Sequence, residues 1–359
     1  MGAQFSPENQ AEEENRTAEP EKKVPDYSQF NDKEIVSRLR KAADRISKEI
    51  ARIIVGQTEV IDQVLITLFA EGHCLLIGVP GLGKTLLIKS ISQLLDLKFS
   101  RIQFTPDLMP SDITGTEIIQ EDSDSKRRDF KFIKGPIFTN ILLADEINRT
   151  PPKTQAALLE AMQEKRVTSA GKSLEVPCPF FVLATQNPIE HEGTYPLPEA
   201  QLDRFMLSIY LHYPSHSEEM NIVKTTTHGD VIELKPVLNM EEIVRLQQLV
   251  KRIPASDHVV QFAVNLVRAT RPEEKEAPDF VKKWVSWGAG PRASQNLIFG
   301  GKARAILKGR NYVAIEDVKK LAMSVLKHRI SINFTAEAEG IGVEDIINKL
   351  LDIIPETRS

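Results

Sequence analysis

The sequence predicts an α/β domain built around a mainly parallel sheet, followed by a smaller, all-helical domain. Two observations predict the first domain. Up to Leu211, short apolar runs alternate with stretches of helical period, which is typical of parallel strands joined by helices. A phosphate-binding motif also follows the first of these runs. From Met240 onward, apolar residues recur only at helical spacing, and this predicts the second domain.

The composition of the 359-residue chain is that of an ordinary globular protein, with 41% hydrophobic residues and a net charge of −4. This charge gives no overall attraction to nucleic acid or to an anionic membrane surface. No apolar stretch approaches the ~20 residues that a membrane-spanning helix needs, and the N-terminus lacks the apolar core of a signal peptide, so we expect a cytoplasmic protein. Cys74 and Cys178 lie in apolar runs, and we expect both to be buried thiols in a reducing compartment.

The chain is expected to begin with a disordered acidic tail over residues 1–30. This stretch is polar, rich in glutamate and almost free of aliphatic side chains, so it cannot bury enough surface to offset the entropy cost of ordering. Two helices are predicted between the tail and the first strand, because apolar residues recur there at helical spacing. The positions that carry the first helix are Ile35, Leu39, Ala42, Ile46 and Ile50, and those of the second are Val60, Val64 and Leu68.

Residues 78–85, here called the phosphate loop, have the sequence Gly-Val-Pro-Gly-Leu-Gly-Lys-Thr and match the pattern G-x-x-x-x-G-K-[ST]. The apolar residues 74–77 before the loop predict a buried strand, and a helix is expected to begin at Thr85. Glycines allow successive backbone N–H groups to point at phosphate oxygens, and the helix dipole adds to their attraction.

The same loop predicts binding of a nucleoside triphosphate together with Mg²⁺. Lys84 is expected to neutralise the β and γ phosphates, and the Thr85 hydroxyl to bind Mg²⁺. The predicted nucleotide contacts in and beside the loop are Gly78, Pro80, Gly81, Leu82, Gly83, Lys84, Thr85 and Leu86.

Further strands are predicted at residues 99–104, 141–144, 180–185 and 205–211, and a helix at residues 155–164. The strand at 141–144 ends in Asp145 and Glu146, which places two carboxylates at the edge of the sheet beside the phosphate loop. Asp145 is expected to organise Mg²⁺, and Glu146 to polarise the attacking water as general base. An ordinary Asp-Glu pair at a helix start is the alternative.

Two more polar residues adjoin predicted strands. Asn187 follows the strand at 180–185, where it could bond the γ-phosphate or the attacking water, although an Asn before a Pro is most often a turn former. Arg204 precedes the strand at 205–211, and taken alone it would be a solvated surface charge.

In combination, these motifs and a late Gly-Pro-Arg-Ala at residues 290–293 resemble the AAA+ ATPases, and more closely the MoxR family of the helix-2-insert group. The resemblance extends from about residue 40 to 335. The segments that carry the closer match are residues 54–57, 104–115, 135–138, 146–155 and 312–330.

The resemblance implies a role for each matching residue. Asn187 would be sensor 1, and Arg204 an arginine finger that reaches the nucleotide of a neighbouring subunit. Arg292 would be sensor 2, reaching the γ-phosphate from the helical lid of its own subunit. The adenine pocket would be lined by Ile54, Val55 and Gly56.

The resemblance and the composition together suggest a division of the chain. Residues 31–213 would form the AAA+ domain, residues 214–237 a polar linker bracketed by Pro214 and Pro236, and residues 238–359 the lid. Two predicted hairpins, at residues 115–134 and 166–176, are candidates for contacts with a protein that is remodelled. Charged loops are more often only solvated, so this alternative stays open for both.

The resemblance implies an ATP-hydrolysing ring, expected to be a hexamer, that assists the maturation or metal loading of partner proteins. In this family such partners often carry a von Willebrand factor A domain. Two other functions remain open. A DNA-linked motor or loader would need an added DNA-binding domain or a strongly basic channel, and the sequence shows neither. A scaffold that binds nucleotide without turnover would not need the full set Asp145, Glu146, Asn187, Arg204 and Arg292.

Overall fold

The computed structural model describes residues 32–121, 128–169, 172–189, 193–227 and 233–356. The tail predicted at residues 1–30 lies outside the described residues. The strands are β1 (Cys74–Ile77), β2 (Phe99–Gln103), β3 (Gly115–Glu121), β4 (Arg128–Lys134), β5 (Ile141–Asp145), β6 (Arg166–Ser169), β7 (Lys172–Glu175), β8 (Phe181–Gln186), β9 (Leu207–Tyr210), β10 (Val285–Trp287) and β11 (Ser331–Ile332).

The helices alternate with the strands up to β9 and then dominate the chain. They are α1 (Asp32–Ala51), α2 (Thr58–Phe69), α3 (Lys84–Leu94), α4 (Pro110–Thr114), α5 (Pro152–Glu164), α6 (Glu199–Leu202), α7 (His216–Thr227), α8 (Met240–Arg252), α9 (Asp257–Arg268), α10 (Asp279–Trp284), α11 (Pro291–Leu307), α12 (Ile315–Leu326), α13 (Phe334–Ala338) and α14 (Val343–Ile353).

A five-stranded sheet in the order β2-β5-β8-β1-β9 forms the centre of the molecule. Each neighbouring pair of its strands is parallel, as predicted. All five carboxyl ends therefore meet at one edge of the sheet, here called the carboxyl edge, and the amino ends meet at the opposite, amino edge. Polar residues that follow different strands can therefore meet at the carboxyl edge, and those that precede different strands can meet at the amino edge.

The sheet is buried on both faces by two hydrophobic clusters. Alternate residues of one strand point to opposite faces, so Leu76 of β1 joins one cluster and Leu75 joins the other. The cluster that contains Leu76 continues into the helices after α7 and includes Phe262 and Leu321. The sheet and the C-terminal helices therefore share one continuous core.

The C-terminal region is mainly helical, as predicted, and also contains two short strands that the sequence pattern did not indicate. Strands β10 and β11 pair in antiparallel fashion, with Val285 opposite Ile332. Strands of three and two residues are too short to show an alternating pattern. Among residues 214–237, expected as a polar linker, the structure contains helix α7.

Both predicted hairpins are present. Strands β3 and β4 pair in antiparallel fashion from Gly115 opposite Lys134 onward, and β6 pairs with β7 in the same way. Gly115 at the base of the first hairpin has φ +97°, and a Cβ atom there would lie 2.2 Å from the Ile133 carbonyl oxygen. Only glycine tolerates both this backbone conformation and this close approach.

The structure corrects the expectation that both cysteines are buried. Cys74 is fully buried in β1, and burial raises the pKa of its thiol. Cys178 is exposed instead. Its neighbours Val176 and Phe180 take the buried places, and the connection between β7 and β8 leaves the side chain of Cys178 facing solvent. Among the described residues, no helix has both the length and the apolar character needed to cross a membrane.

Candidate nucleotide site

The phosphate loop joins β1 to α3 at the carboxyl edge of the sheet. Gly81 and Gly83 have φ +85° and +74°, and no atom lies within 4 Å of the position that a Cβ atom would take at either residue. The backbone therefore leaves open space where phosphate oxygens would lie. The Lys84 ammonium group donates a hydrogen bond to the Gly78 carbonyl at the start of the loop. The predicted helix start at Thr85 is one residue late, because α3 begins at Lys84.

Asp145 lies at the end of β5, at the same edge. Its Oδ1 accepts a hydrogen bond from the Thr185 hydroxyl at 2.5 Å. Its Oδ2 accepts from Arg101 Nε at 3.1 Å and from Arg101 Nη2 at 2.7 Å. The carboxylate is thus oriented from two sides, by strands β8 and β2.

Glu146 follows Asp145 in the left-handed backbone region, with φ +58°. A residue other than glycine in this region is strained, and such strain is held by the surrounding structure. The Glu146 N–H donates to the Thr185 hydroxyl at 2.8 Å. Its Oε2 accepts from Gln103 Nε2 at 2.7 Å and from Arg149 Nη1 at 2.9 Å. The side chain predicted to be the general base is therefore held by two neighbours, and Thr185 holds its backbone.

Asn187 is buried and lies directly after β8. The carbonyl of the preceding residue, Gln186, accepts a hydrogen bond from the Gly78 N–H at 3.2 Å, so Asn187 lies close to the start of the phosphate loop. Its Oδ1 accepts from the Ile189 N–H at 3.2 Å, which is the turn-forming bond expected of an Asn before a Pro. Asn187 therefore forms the turn and also lies beside the phosphate loop, so its turn-forming bond does not exclude a part in the nucleotide site.

The segment predicted to line the adenine pocket runs beside the loop. Ile54 is buried, and Gly56 has φ +71°. Gln57, the next residue, donates from Nε2 to the Leu82 carbonyl at 3.2 Å. This bond joins the segment to the phosphate loop, and the sequence analysis did not foresee it.

Arg204 lies at the amino edge, because it precedes β9. The Met206 N–H donates to the His73 carbonyl at 2.7 Å, and His73 precedes β1. Strand β1 spans Cys74–Ile77, so at about 3.3 Å per residue the phosphate loop begins more than ~10 Å away. Arg204 donates from Nη1 to the Leu159 carbonyl at 3.0 Å. This placement is compatible with action on a neighbouring subunit, which stays a prediction.

Arg292 lies at the same amino edge as Arg204. Its Nη1 is 3.1 Å from Asp203 Oδ2. Arg292 and Arg204 line one cavity of about 310 Å³ together with His73 and Lys165. In this structure Arg292 therefore lies away from the phosphate loop of its own chain, and its role as sensor 2 stays a prediction. The physical reason is that α11 packs its first turn against the segment before β9, and not over the phosphate loop.

Arg329 holds the C-terminal helices against that segment. Its buried guanidinium is 2.7 Å from Asp203 Oδ1 through Nε, and it also donates to the Asp203 carbonyl at 3.0 Å and to the Met206 carbonyl at 3.3 Å. The neighbouring His328 approaches Ser208 Oγ at 3.0 Å and the Phe205 carbonyl at 3.1 Å. Burial and the charge of Arg329 hold the pKa of His328 well below its ordinary value. These contacts hold the segment after α12 against β9 and the residues before it.

Comparison with known proteins gives the family. Residues 73–207 match the ATPase family associated with various cellular activities (AAA), and residues 280–350 match the AAA lid domain. Chaperone MoxR1 of Mycobacterium tuberculosis is 43% identical over 311 residues, which cover 87% of this chain and 81% of that protein. The chain belongs to the MoxR family of AAA+ ATPases.

Two further comparisons agree with this family. Protein MoxR of Methylorubrum extorquens is 28% identical over 328 residues, covering 88% of this chain and 95% of that protein. A crystal structure of a proposed ATPase from Cytophaga hutchinsonii has a TM-score of 0.84 and 39% identity, covering 90% of this chain and 98% of that chain. The predicted resemblance and the predicted AAA+ fold with a helical lid region are confirmed.

The residues of this MoxR-family chain fit the groups that the family implies. The open glycine positions in the phosphate loop fit the phosphates of a nucleotide. The oxygens of Thr85 and Asp145 are ligands of the kind that Mg²⁺ prefers, and Mg²⁺ takes its other ligands from water and phosphate. A cluster of three or more acidic, His or Cys side chains is not needed for such a site, and the described residues contain none.

The sequence analysis missed three residues that hold the acidic pair: Arg101, Gln103 and Thr185. A weak signal for two of them was available. Arg101 and Gln103 are polar residues at alternate positions of the predicted strand at 99–104, so they share one face of that strand. What the sequence could not show is the register, in which Gln103 lies opposite Asp145.

Proposed function

We propose that this protein binds ATP with Mg²⁺ and hydrolyses it, and that it uses the hydrolysis for chaperone-like remodelling of partner proteins. The observation that carries the proposal is the meeting of the phosphate loop, Asp145, Glu146 and Asn187 at the carboxyl edge of one parallel sheet. Membership of the MoxR family supports the same activity. A nucleotide-binding scaffold would not need the second carboxylate.

Each residue has a defined part in the proposed reaction. The backbone N–H groups of the phosphate loop and Lys84 bind the phosphates, and Thr85 and Asp145 hold Mg²⁺, which supplies positive charge to the phosphate oxygens. Glu146 takes the proton of the attacking water, and Asn187 orients that water or the γ-phosphate. The bonds from Gln103 and Arg149 keep Glu146 in place.

We propose a ring, with six subunits as the expected number. Its support is the location of Arg204 and Arg292 at the amino edge, which their own phosphate loop does not reach. In a head-to-tail ring the amino edge of one subunit can face the nucleotide of the next. Both arginines would then act in trans, so the role of Arg292 differs from the one expected from the family.

We propose that the partners of the ring are proteins in the cytoplasm, and that their remodelling or metal loading is the purpose of the ATPase. The name of the relative, Chaperone MoxR1, supports a chaperone-like role. The β3–β4 hairpin offers a surface for such contacts, because Ile119 and Phe130 lie opposite each other and are 61% and 69% exposed. Partners with a von Willebrand factor A domain are the first to test.

The hydrolysis is tested with two substitutions that act on different steps. Lys84→Ala should abolish nucleotide binding, because it removes the charge that compensates the phosphates. Glu146→Gln should keep the affinity for ATP and lower the turnover by about 10²-fold or more, because it removes only the proton acceptor. Affinity is measured by titration with a fluorescent ATP analogue, and turnover by phosphate release.

The control is Glu160→Gln, an exposed carboxylate on α5, which should change neither value. Near wild-type turnover in Glu146→Gln would remove Glu146 from the reaction. Failure of the wild-type protein to bind ATP would overturn the proposed function as a whole.

A further inference from the structure

A cavity of about 320 Å³ lies beside the proposed nucleotide site. The side chains that line it on the sheet side are Val55, Gln57, Leu211, Tyr213, Pro214 and Glu218. Two contacts place this cavity next to the phosphate loop. A Cβ atom at Gly78 would lie 2.9 Å from Leu211 Cβ, and Gln57 donates to the Leu82 carbonyl. The cavity therefore adjoins the phosphate loop through Gln57 and Leu211.

Glu218, in the first turn of α7, presents a fixed carboxylate at this place. Its Oε2 accepts from the Ser215 N–H at 2.8 Å and from the Ser215 hydroxyl at 2.7 Å. Its other oxygen, Oε1, lies against Gly56, where an added Cβ would be only 2.4 Å from it. Because one oxygen is held by Ser215, the position of the second is also determined.

The carboxylate of Glu218 can only accept hydrogen bonds. The hydrogen bonds from the Ser215 side chain and backbone lower its pKa, so it stays ionised at neutral pH. The side chain of Gln57 also lines this cavity, and its amide nitrogen is held by the Leu82 carbonyl.

We propose that Glu218 Oε1 accepts a hydrogen bond from the 6-amino group of adenine and so makes the site selective for adenine nucleotides. This inference rests on the proposed function, since it needs ATP at the phosphate loop. The 6-amino group is a hydrogen-bond donor, which suits the acceptor oxygen of Glu218. Guanine presents a carbonyl oxygen at the same position, and two acceptors facing each other repel. The segment at residues 54–56 supplies the apolar side of the pocket, and Glu218 supplies its specificity.

The test compares three triphosphates on the full chain: ATP, GTP and purine riboside triphosphate, which has only hydrogen at position 6. Affinities are measured by displacement of a fluorescent ATP analogue. The wild-type protein should bind ATP about tenfold more tightly than purine riboside triphosphate, since a hydrogen bond to a charged group is lost. Glu218→Gln should reduce the preference for ATP over GTP by about tenfold or more, because its amide can donate to the guanine carbonyl.

The matched control is Glu219→Gln, the exposed next residue of the same helix, which should keep all three affinities. Glu218→Ala gives a second measurement, in which ATP and purine riboside triphosphate should bind equally. If the wild-type protein binds ATP and both Glu218 variants keep its preference, Glu218 does not recognise the base. If the wild-type protein binds none of the triphosphates, the proposed function itself fails, so the two failures are distinguishable.

Discussion

Thr185 holds both members of the acidic pair through one buried hydroxyl. The hydroxyl donates to Asp145 Oδ1 and accepts from the Glu146 N–H, so it connects the proposed metal ligand to the strained backbone of the proposed general base. Neither acidic side chain makes its contacts within its own strand. The precision of the site therefore depends on the strand β8, on which Thr185 lies.

Replacing Thr185 by Val keeps the shape of the side chain and removes the hydroxyl. We expect ATP turnover to fall about tenfold, with a smaller change in ATP affinity, because Glu146 loses the bond that holds its left-handed backbone. The free energy of unfolding should fall by about 1–3 kcal/mol, since a buried N–H is left without a partner. Phosphate release and urea unfolding check the two effects. Thr67→Val, which removes a buried hydroxyl within α2, is the control, and equal turnover in both variants would contradict the role of Thr185.

His73 makes stability depend on pH. It is fully buried at the amino end of β1, with Nδ1 accepting from the Val182 N–H at 3.0 Å and Nε2 3.2 Å from the Met162 carbonyl. Burial lowers its pKa from the ordinary 6.5 to about 4. Between these two values the unfolded chain binds a proton at this residue and the folded chain does not, so stability is full above pH 6.5 and falls as the pH drops.

The lowered pKa of His73 predicts a loss of about 2 kcal/mol in the free energy of unfolding between pH 7 and pH 5. His73→Asn, which can place an oxygen where Nδ1 accepts, should remove that part of the pH dependence whatever its effect at pH 7. Urea unfolding at the two pH values measures it, with the exposed His216→Asn as control. An unchanged difference between the two pH values in His73→Asn would show that His73 protonates in the folded state.

At the scale of elements, the hairpins and helices are placed by contacts between segments far apart in the chain. The β3–β4 hairpin leaves the sheet domain through Gly115 and Gly135, and an added Cβ at either would collide with backbone atoms at 2.2 Å or 2.3 Å. The segment after α12 is held near β9 by Arg329, which bonds to the side chain and carbonyl of Asp203 and to the Met206 carbonyl. Tight contacts at a few positions thus orient whole elements.

Gly115→Ala should therefore loosen the β3–β4 hairpin. The substitution forces a residue with a Cβ atom into the extended backbone at positive φ, which costs about 1–3 kcal/mol, and adds a collision with the Ile133 carbonyl. Hydrogen–deuterium exchange of the amides in β3 and β4 should become at least tenfold faster. Gly340→Ala is a matched control, because Gly340 has φ +69° with no atom within 4 Å of an added Cβ. If both variants leave the exchange of β3 and β4 unchanged, the base of the hairpin is not as tight as the geometry indicates.

At the scale of the whole molecule, the sheet separates two sets of residues. The phosphate loop, Asp145, Glu146 and Asn187 lie at the carboxyl edge, and Arg204 and Arg292 lie at the amino edge. One subunit cannot bring both sets to one nucleotide in this arrangement, because the strands of the sheet lie between them. The proposed site, which includes both arginines, then needs two subunits.

Mixtures of inactive variants test this division. Arg204→Ala mixed with Glu146→Gln should recover activity, because about a quarter of the interfaces then combine an intact carboxyl edge with an intact amino edge. Arg292→Ala mixed with Glu146→Gln should recover to the same extent. Arg204→Ala mixed with Arg292→Ala should stay inactive, since every amino edge lacks one arginine. ATPase rates of equal mixtures measure this, and each single loss should be large enough to make recovery visible.

The third mixture is the decisive one. If Arg292 acted within its own subunit, a site with its own Arg292 and a neighbour's Arg204 would form in that mixture and activity would return. Subunit exchange is confirmed separately with two fluorescent labels. If exchange occurs and none of the mixtures recovers, Arg204 does not act in trans.

The sequence by itself determined the fold class, the position of the phosphate loop and the strand that ends in Asp145 and Glu146. These features depend on neighbouring residues, since apolar periodicity and a glycine-rich motif are local properties of the chain. The two hairpins were predicted for the same reason. The sequence also showed that Asn187 follows a strand, and the parallel order of the strands was enough to place it near the loop.

Only the tertiary structure showed at which edge of the sheet Arg292 lies and which side chains hold Asp145 and Glu146. Arg292 lies far in sequence from every strand of the central sheet, so no local pattern indicates that α11 docks beside Asp203. The partners Arg101 and Thr185 come to Asp145 through the register of three strands. The exposure of Cys178 and the approach of Glu218 to Gly56 also depend on how distant segments pack. Such contacts depend on how all segments of the chain pack together, and the apolar periodicity of one segment carries no information about that packing.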